Sequence, residues 1–297
     1  MISYFQAIVI GLLQGVTELF PVSSLGHSVL LPALLGWHQV VASQAAQESF
    51  YLAFLVGLHV ATALALLAFF WRDWLRIVSG LVRSLRRRRI EATDERLGWL
   101  LVAATVPAGL VGVAFEHALR TLFAKPLAAA VFLTLNGVIL LAGERLRRMA
   151  PAPAAVPEGP GAAQARVQPS RRLDTLAFGE ALLIGASQIL AFFAGISRSG
   201  VTMVAGLVRG LSHEDAARFA FLLATPIILA AGLYKLPDLI GPNGDGVRGQ
   251  VFAGSAVAGV AAWLSVRFLT RWFETRTLTP FAVYCLLAGV ACIARFA

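Results

Sequence analysis

Long apolar stretches separated by short polar segments dominate the pattern of the chain. Six of them run without interruption and predict transmembrane helices, because about 20 apolar residues span the hydrocarbon core of a bilayer. They lie at residues 49–71, 98–115, 126–142, 219–234, 250–270 and 278–296. The pattern therefore predicts an all-α polytopic membrane protein.

Two further apolar segments, 1–36 and 176–209, are interrupted at their centres by polar and helix-breaking residues. A broken span is tolerated where its backbone lines a cavity or packs on protein, so each segment is interpreted as a re-entrant helical hairpin. Eight complete spans are the alternative. Each half of the chain then holds one hairpin and three transmembrane helices, in a first repeat at 1–142 and a second at 176–297.

The two interruptions share a spacing. Gln14 stands nine residues before Ser23, and Gln188 stands nine residues before Ser197. Three crossings per half is an odd number, so the second half begins on the opposite side of the membrane. We therefore predict an inverted repeat in which the two hairpin tips meet near the midplane.

Composition and charge support a membrane location. The chain is 58% hydrophobic and 14% charged, with a net charge of +9, and 14 of its 25 Lys and Arg residues lie within 72–96 and 145–172. Basic loops of this kind face the cytoplasm, so the charge orients the protein and no nucleic-acid partner is expected. The segment 143–175, rich in Pro and Ala, predicts a flexible cytoplasmic linker between the repeats.

Glu18 and Arg198 are the clearest candidates for chemistry. An ionised side chain in the middle of a bilayer costs about 2.5–3.5 kcal/mol on insertion scales, so each needs a partner or a function. If the hairpin tips converge, each residue supplies the charge that the other lacks. A purely structural ion pair between the two halves is the alternative.

The second interruption, GISRSGVT at 195–202, surrounds Arg198 with small and hydroxyl-bearing residues. Glycine lets the backbone approach a ligand, a helix N-terminus presents free N–H groups, and guanidinium binds phosphate oxygens in pairs. The motif therefore predicts a phosphate cradle. Its candidate binding residues are Ser197, Arg198, Ser199, Gly200 and Thr202.

The first interruption, TELFPVSSLGH at 17–27, offers a nucleophile and a base. Ser24 and His27 are three apart and share a face if a helix begins at Ser24. A hydroxyl beside an imidazole, with the Glu18 carboxylate nearby, is a candidate nucleophile, base and orienting or metal-binding set. Capping of a helix is the alternative role for Ser23 and Ser24.

Several other polar residues in apolar surroundings are interpreted as structural. His59 is alone in an apolar span, and His213 lies in a turn-like sequence, so a structural role is favoured for both. Glu48 could reach the cavity, but stabilisation of a helix end is the default interpretation.

With QGVTELFPVSSLGH at 14–27 and GISRSGVT at 195–202, the chain resembles the undecaprenyl-diphosphate phosphatase family of bacterial inner membranes, the bacitracin-resistance type. The resemblance covers nearly the whole chain. It departs from the family at Ala194, where a Pro is usual. Gln14 and Glu18 meet the family pattern of Glu or Gln, three residues, then Glu, although Gln14 in place of a carboxylate removes one possible metal ligand.

The resemblance implies hydrolysis of undecaprenyl diphosphate to undecaprenyl phosphate and inorganic phosphate. This reaction recycles the lipid carrier of cell-wall synthesis and gives bacitracin resistance. The implied location is the bacterial cytoplasmic (inner) membrane, with the site open toward the periplasm. The implied partners are a polyprenyl diphosphate lipid and the membrane, and a homodimer is a further expectation.

The resemblance also implies roles for individual residues. Ser24 would be the nucleophile, with His27 as its general base and later acid. Glu18 and Gln14 would hold a divalent cation, Mg²⁺ or Ca²⁺. The diphosphate would be bound by Ser23, Ser197, Arg198, Ser199, Gly200 and Thr202. Two routes stay open, a phosphoenzyme at Ser24 or direct activation of water by His27.

Other functions fit parts of the pattern. A transporter or flippase of an anionic polyprenyl lipid would also use an inverted repeat with charges at the midplane, but it has no evident need for Ser24 and His27. An ion channel is poorly served by a single Glu and a single Arg. A phosphatase acting on a different isoprenyl diphosphate is a further alternative.

Overall fold

The architecture is entirely helical over the described part of the chain. The computed structural model describes residues 2–44, 50–114, 125–149, 173–241 and 246–297. They form α-helices and two short 3-10 helices, Leu173–Thr175 and Gln188–Phe192. Residues 150–172 of the predicted linker 143–175, and Glu48, lie outside these residues, whereas 143–149 continue a helix and 173–175 form a 3-10 helix.

The described residues contain α-helices along their whole length. In chain order they are α1 (Tyr4–Thr17), α2 (Ser24–Leu34), α3 (His38–Gln44), α4 (Phe50–Phe69), α5 (Trp71–Arg87), α6 (Thr93–Ala114), α7 (Pro126–Met149), α8 (Phe178–Ser187), α9 (Arg198–Val208), α10 (His213–Ile240), α11 (Arg248–Thr275) and α12 (Thr279–Phe296). Within the described residues, α6, α7, α10, α11 and α12 are long and apolar enough to cross a membrane. The bent pair of α4 and α5 passes the same criterion as a sixth span. The chain is thus a multi-pass membrane protein, and the prediction of an all-α polytopic fold is confirmed.

Several spans extend beyond the apolar runs that predicted them. The run 98–115 lies in a helix that begins at Thr93, and the run 126–142 lies in one that continues to Met149. Acidic Asp94 and Glu95 occupy the first turn of α6, and basic residues occupy the last turn of α7. Such charges stabilise helix ends through the macrodipole, so these helices can continue past the apolar core.

The expectation of a basic loop within 72–96 is wrong over 72–87, which lie in helix α5. This helix turns by 84° from α4. Its arginines alternate at helical spacing with an exposed apolar stripe of Trp71, Leu75, Val78, Val82 and Leu85. The sequence is therefore amphipathic, which is typical of a helix that lies in a membrane interface.

Both interrupted segments are built from helices too short to span a bilayer. α1 has 14 residues and α2 has 11, and they are separated by residues 18–23. In the second segment, α8 and a 3-10 turn precede α9. The two interruptions touch, since a Cβ added to Gly26 would lie 2.8 Å from the Cα of Gly195. The inverted orientation and the repeat boundaries stay predictions.

Each interrupted segment packs on a long helix from the other half of the chain. α1 lies against α11, and α8 lies against α6. At the centre, α4 packs on α10 and α11, and α7 packs on α12. Residues from both halves therefore surround the place where the interruptions meet.

Candidate active site

A cavity of about 390 Å³ lies where the two interruptions meet. One part of its wall is polar and is formed by Glu18, Ser23, Ser24, His59, Gln188, Ser197 and Arg198. The remainder is apolar and includes Leu25, Leu55, Ala108, Phe192, Ile228 and Ala231. The cavity therefore joins a small charged end to a hydrophobic wall, as binding sites for amphiphilic molecules do.

The Glu18 carboxylate is the centre of the polar end. It follows the last residue of α1 and is buried. Its Oε1 forms an ion pair with Arg198. Its Oε2 accepts hydrogen bonds from Ser24 Oγ at 2.5 Å and from Gln14 Nε2 at 2.9 Å. A charge buried in this way is tolerated because ionic and polar partners surround it.

Ser23 holds the two interruptions together. It caps the N-terminus of α2 and has a left-handed φ of 72°, which is a strained conformation for a residue other than glycine. Its Oγ accepts hydrogen bonds from the N–H groups of Gly26 at 3.2 Å and Gly195 at 3.1 Å. This strained turn brings Ser24 to the start of α2, beside Glu18.

Arg198 is the first residue of α9 and lines the cavity. Ser197 caps this helix, and its Oγ accepts a hydrogen bond from Gly200 N at 3.1 Å. Helices α2 and α9 therefore both begin at the polar end, at Ser24 and Arg198. Two positive helix N-termini and a guanidinium suit an anionic group such as phosphate.

Asn136, in the middle of α7, connects the two interruptions. Its Nδ2 donates to the carbonyl of Pro21 at 2.9 Å, and its Oδ1 accepts from Ser197 N at 3.0 Å. It is fully buried. The sequence reasoning gave Asn136 no role, although a lone amide inside an apolar span was a signal that some backbone group needed a partner.

Both ring nitrogens of His27 have hydrogen-bond partners other than Ser24. Its Nδ1 lies 2.7 Å from the carbonyl oxygen of Ser23, and its Nε2 lies 2.7 Å from the Tyr284 hydroxyl on α12. The residue that bonds to Ser24 is Glu18. The structure thus brings Ser24 and Glu18 together, and His27 is not among the described residues that line the cavity.

Ser199, Gly200 and Thr202 of the predicted phosphate cradle are not among the described residues that line the cavity. Ser199 Oγ lies 3.0 Å from Ser197 Oγ and donates to the carbonyl of Phe20 at 3.3 Å. Thr202 Oγ1 donates to the carbonyl of Arg198 within α9. Gly200 packs near Leu140 and Pro21. These residues support the turn that presents Ser197 and Arg198.

His59, interpreted from the sequence as structural, lies at the polar end. It projects from α4, and its Nε2 is 3.5 Å from Glu18 Oε2. Its side chain is 30% exposed and lines the cavity. His213, by contrast, pairs with buried Glu144 at 2.6 Å and ties α10 to α7. The sequence does not show which neighbouring helix a single polar residue in an apolar span faces. The apolar pattern therefore could not place His59 at the cavity.

Comparison with protein families gives one match that covers most of the chain. The family model described as "Bacitracin resistance protein BacA" matches residues 7–291. The chain belongs to the BacA family. This confirms the resemblance drawn from the two interrupted motifs.

Relatives from several bacteria cover the chain almost completely. The undecaprenyl-diphosphatase 2 of Frankia alni is 60% identical, with 100% of this chain and 98% of the relative aligned. The undecaprenyl-diphosphatase of Mycolicibacterium paratuberculosis is 61% identical over 98% of this chain and 96% of the relative. That of Granulibacter bethesdensis is 45% identical over 97% and 95%.

Gln14 and Glu18 provide oxygen atoms for the divalent cation expected from the family resemblance. Gln14 is buried, and among the described residues its Oε1 has no hydrogen-bond partner. With the Glu18 carboxylate it offers two oxygen donors of the kind that Mg²⁺ and Ca²⁺ prefer. The described residues contain no cluster of three or more His, Cys, Asp and Glu side chains. The donor set therefore fits a divalent cation that completes its coordination with water or substrate oxygens.

Proposed function

We propose that this chain hydrolyses undecaprenyl diphosphate to undecaprenyl phosphate and inorganic phosphate. The reaction recycles the lipid carrier of cell-wall synthesis and gives bacitracin resistance. The observation that carries the proposal is Ser24, hydrogen-bonded to Glu18 beside Arg198, at the polar end of an apolar cavity. The names of the BacA-family relatives support the same reaction.

The shape of the cavity supports a lipid diphosphate as substrate. Arg198 and the N-termini of α2 and α9 would bind the phosphates, because guanidinium and free N–H groups favour anions. The apolar wall, with Leu55, Phe192 and Ile228, would hold the first isoprenyl units of the tail. The remainder of the long tail would stay in the surrounding lipid.

In the proposed reaction, Ser24 Oγ attacks the terminal phosphorus while Glu18 Oε2 accepts the hydroxyl proton. The bond from phosphorus to the bridging oxygen breaks, and undecaprenyl phosphate leaves with the electron pair. Glu18 then gives this proton to the departing undecaprenyl phosphate and is again a carboxylate. Water attacks the phosphoserine and passes a proton to Glu18, which delivers it to Ser24 Oγ as the bond from phosphorus to Oγ breaks and inorganic phosphate leaves. Arg198 would balance the negative charge on the transferring phosphoryl group, a large contribution to catalysis of phosphoryl transfer.

Glu18 and Gln14 would hold Mg²⁺ or Ca²⁺ together with oxygens of the diphosphate. When bound, such a cation neutralises charge on the phosphates and favours departure of the leaving group. The residues of the chain provide the nucleophile, its proton acceptor and the guanidinium. His27, bonded to Ser23 and Tyr284, would position the turn that carries Ser24.

The proposed location is the bacterial inner membrane, with the cavity open toward the periplasm. The supporting observation is the distribution of charge along the long helices. Leu55, Ala108 and Ala231 line the cavity from the ends of α4, α6 and α10 that lie away from the arginine-rich α5. The positive-inside rule assigns the arginine-rich face to the cytoplasm. A homodimer is a separate expectation, and light scattering of the purified protein would test it.

The experiment is a phosphate-release assay with purified full-length protein, undecaprenyl diphosphate and Mg²⁺ or Ca²⁺. We expect release by the wild type and loss of at least about 100-fold in kcat for Ser24→Ala and Glu18→Ala, because each removes a reacting group. No release by the wild type with either cation would refute the proposal. Full complementation in cells by Ser24→Ala, with loss for Arg198→Ala, would favour lipid transport instead.

A further inference from the structure

His59 has one ring nitrogen fixed and the other directed at the polar end. Its Nδ1 lies 2.8 Å from the carbonyl oxygen of Leu55, one turn earlier in α4. Because a carbonyl can only accept, Nδ1 carries the hydrogen of this bond. A histidine that donates one N–H to a backbone carbonyl and presents the other nitrogen to a site has the usual arrangement of a metal ligand.

The distance between His59 and Glu18 suits an ion better than a hydrogen bond. Nε2 is 3.5 Å from Glu18 Oε2, beyond the usual 2.7–3.2 Å of N–H···O bonds. Two ligand atoms, each about 2.1 Å from a metal, stand about 3.0–3.4 Å apart at angles between 90° and 110°. The gap between these two atoms is close to that separation.

Gln14 supplies an independent sign of a cation. Its Oε1 is buried without a hydrogen-bond partner in the described part of the chain, although an unsatisfied buried acceptor costs about 1–3 kcal/mol. Its Nε2 donates to the same Glu18 oxygen that His59 approaches. A half-turn of the amide would place Oε1 there instead, which is favourable only with a cation between the two oxygens.

The two oxygens of the Glu18 carboxylate contact different groups, so one of them is available to a cation. Arg198 pairs with Oε1, whereas Gln14, Ser24 and His59 approach Oε2. One carboxylate oxygen thus faces the proposed phosphate-binding guanidinium, and the other faces Gln14, Ser24 and His59. The cation side and the phosphate side of the site are separate.

We propose that His59 is a nitrogen ligand of the divalent cation, together with Glu18 and Gln14. The inference builds on the proposed function by adding a ligand to the same site. An imidazole ligand shifts preference from Ca²⁺, which takes oxygen ligands, toward transition metals such as Fe²⁺ and Zn²⁺, and Mn²⁺ serves as the paramagnetic probe of the site. It also ties α4 to the interruption through the metal.

The test uses Mn²⁺ alone, added to the purified full-length protein without lipid substrate. Electron spin echo envelope modulation of the bound ion reports a directly coordinated ¹⁴N nucleus, and a titration followed by electron paramagnetic resonance gives the dissociation constant. We expect a ¹⁴N signal in the wild type and none in His59→Ala. The affinity of His59→Ala should fall by about 10-fold or more, since even indirect partners of a metal ligand contribute 10–100-fold.

Two variants separate ligation from other effects. His59→Gln offers an amide oxygen in place of the imidazole, so we expect Mn²⁺ affinity within about fivefold of the wild type but no ¹⁴N signal. His38→Gln removes an exposed histidine of α3 and should change neither measurement. Thermal unfolding of each variant shows that the protein remains folded.

The outcomes are distinct from those of the proposed function. A wild type without a ¹⁴N signal, or equal Mn²⁺ affinity in the wild type and a folded His59→Ala, would overturn the inference while leaving hydrolysis intact. A wild type that binds Mn²⁺ through nitrogen but releases no phosphate would keep the inference and refute the function.

Discussion

Glu18 and Arg198 lie 180 positions apart in the chain and form an ion pair where the two interrupted segments meet. Each charge comes from a different half of the chain, and each is mostly buried. The pair therefore joins the two halves and places the guanidinium at the cavity. Its loss should affect stability and activity together, whereas a change in the proposed nucleophile should affect activity alone.

Removing Arg198 should destabilise the protein strongly. In Arg198→Ala the Glu18 carboxylate stays buried without its charged partner, which costs about 3–5 kcal/mol in comparable pairs. The double variant Glu18→Gln/Arg198→Gln should recover much of this loss without recovering phosphate release. Thermal unfolding in detergent and the release assay measure the two effects. Equal stability of the single and double variants would contradict the prediction.

Tyr284→Phe tests whether His27 acts in the reaction or supports the turn. The change removes the hydroxyl that lies 2.7 Å from His27 Nε2. We expect a loss of about 0.5–1.5 kcal/mol in the free energy of unfolding, typical of one hydrogen bond, and phosphate release within about threefold of the wild type. Loss of release at unchanged stability would instead place His27 among the reacting groups.

Asn136→Ala should separate the two interruptions. It leaves the Pro21 carbonyl and the Ser197 N–H without their partner, at about 1–3 kcal/mol for each buried group. We expect a total loss of about 2–5 kcal/mol and weaker phosphate release. Thr134→Ala is the control, because the Thr134 hydroxyl bonds to the Ala130 carbonyl of its own helix. A similar effect of both changes would argue against a bridging role.

Gly195→Ala tests the contact between the turns. Gly195 has a φ of +115°, and a Cβ there would lie 2.6 Å from Leu133 N. The strain alone costs about 1–3 kcal/mol, so we expect reduced yield and a lower unfolding temperature. Gly109→Ala is the matched control in α6, since a Cβ there meets nothing within 4 Å. Normal stability of Gly195→Ala would show that the turn can rearrange.

Ala108→Phe should obstruct the apolar wall of the cavity. Ala108 is fully buried in α6 and lines the cavity. We expect the KM for undecaprenyl diphosphate to rise about 10-fold, equivalent to about 1.4 kcal/mol of binding. Val106→Phe adds a ring to an exposed position of the same helix and should leave KM unchanged. Steady-state kinetics with both variants checks the placement of the tail.

The membrane spans were accessible to sequence reasoning because hydrocarbon imposes a simple length requirement on apolar helices. Glu18 and Arg198 were accessible for a related reason, since charges in apolar segments are costly and need a partner. The helix at Trp71–Arg87 is harder to predict, because its many arginines are typical of a polar loop even though the apolar residues between them repeat at helical spacing.

The sequence by itself determined the membrane class, the two interrupted segments, the family, and the charged residues that meet in the cavity. Only the tertiary structure decided which groups touch: Ser24 bonds to Glu18, His27 bonds to Tyr284, and His59 lies beside the carboxylate. The physical reason is that the free-energy cost of a buried charge and the spacing of apolar residues are both properties of a single segment, so they are visible in the sequence. The partner of a buried polar group is instead set by packing between helices that are distant in sequence.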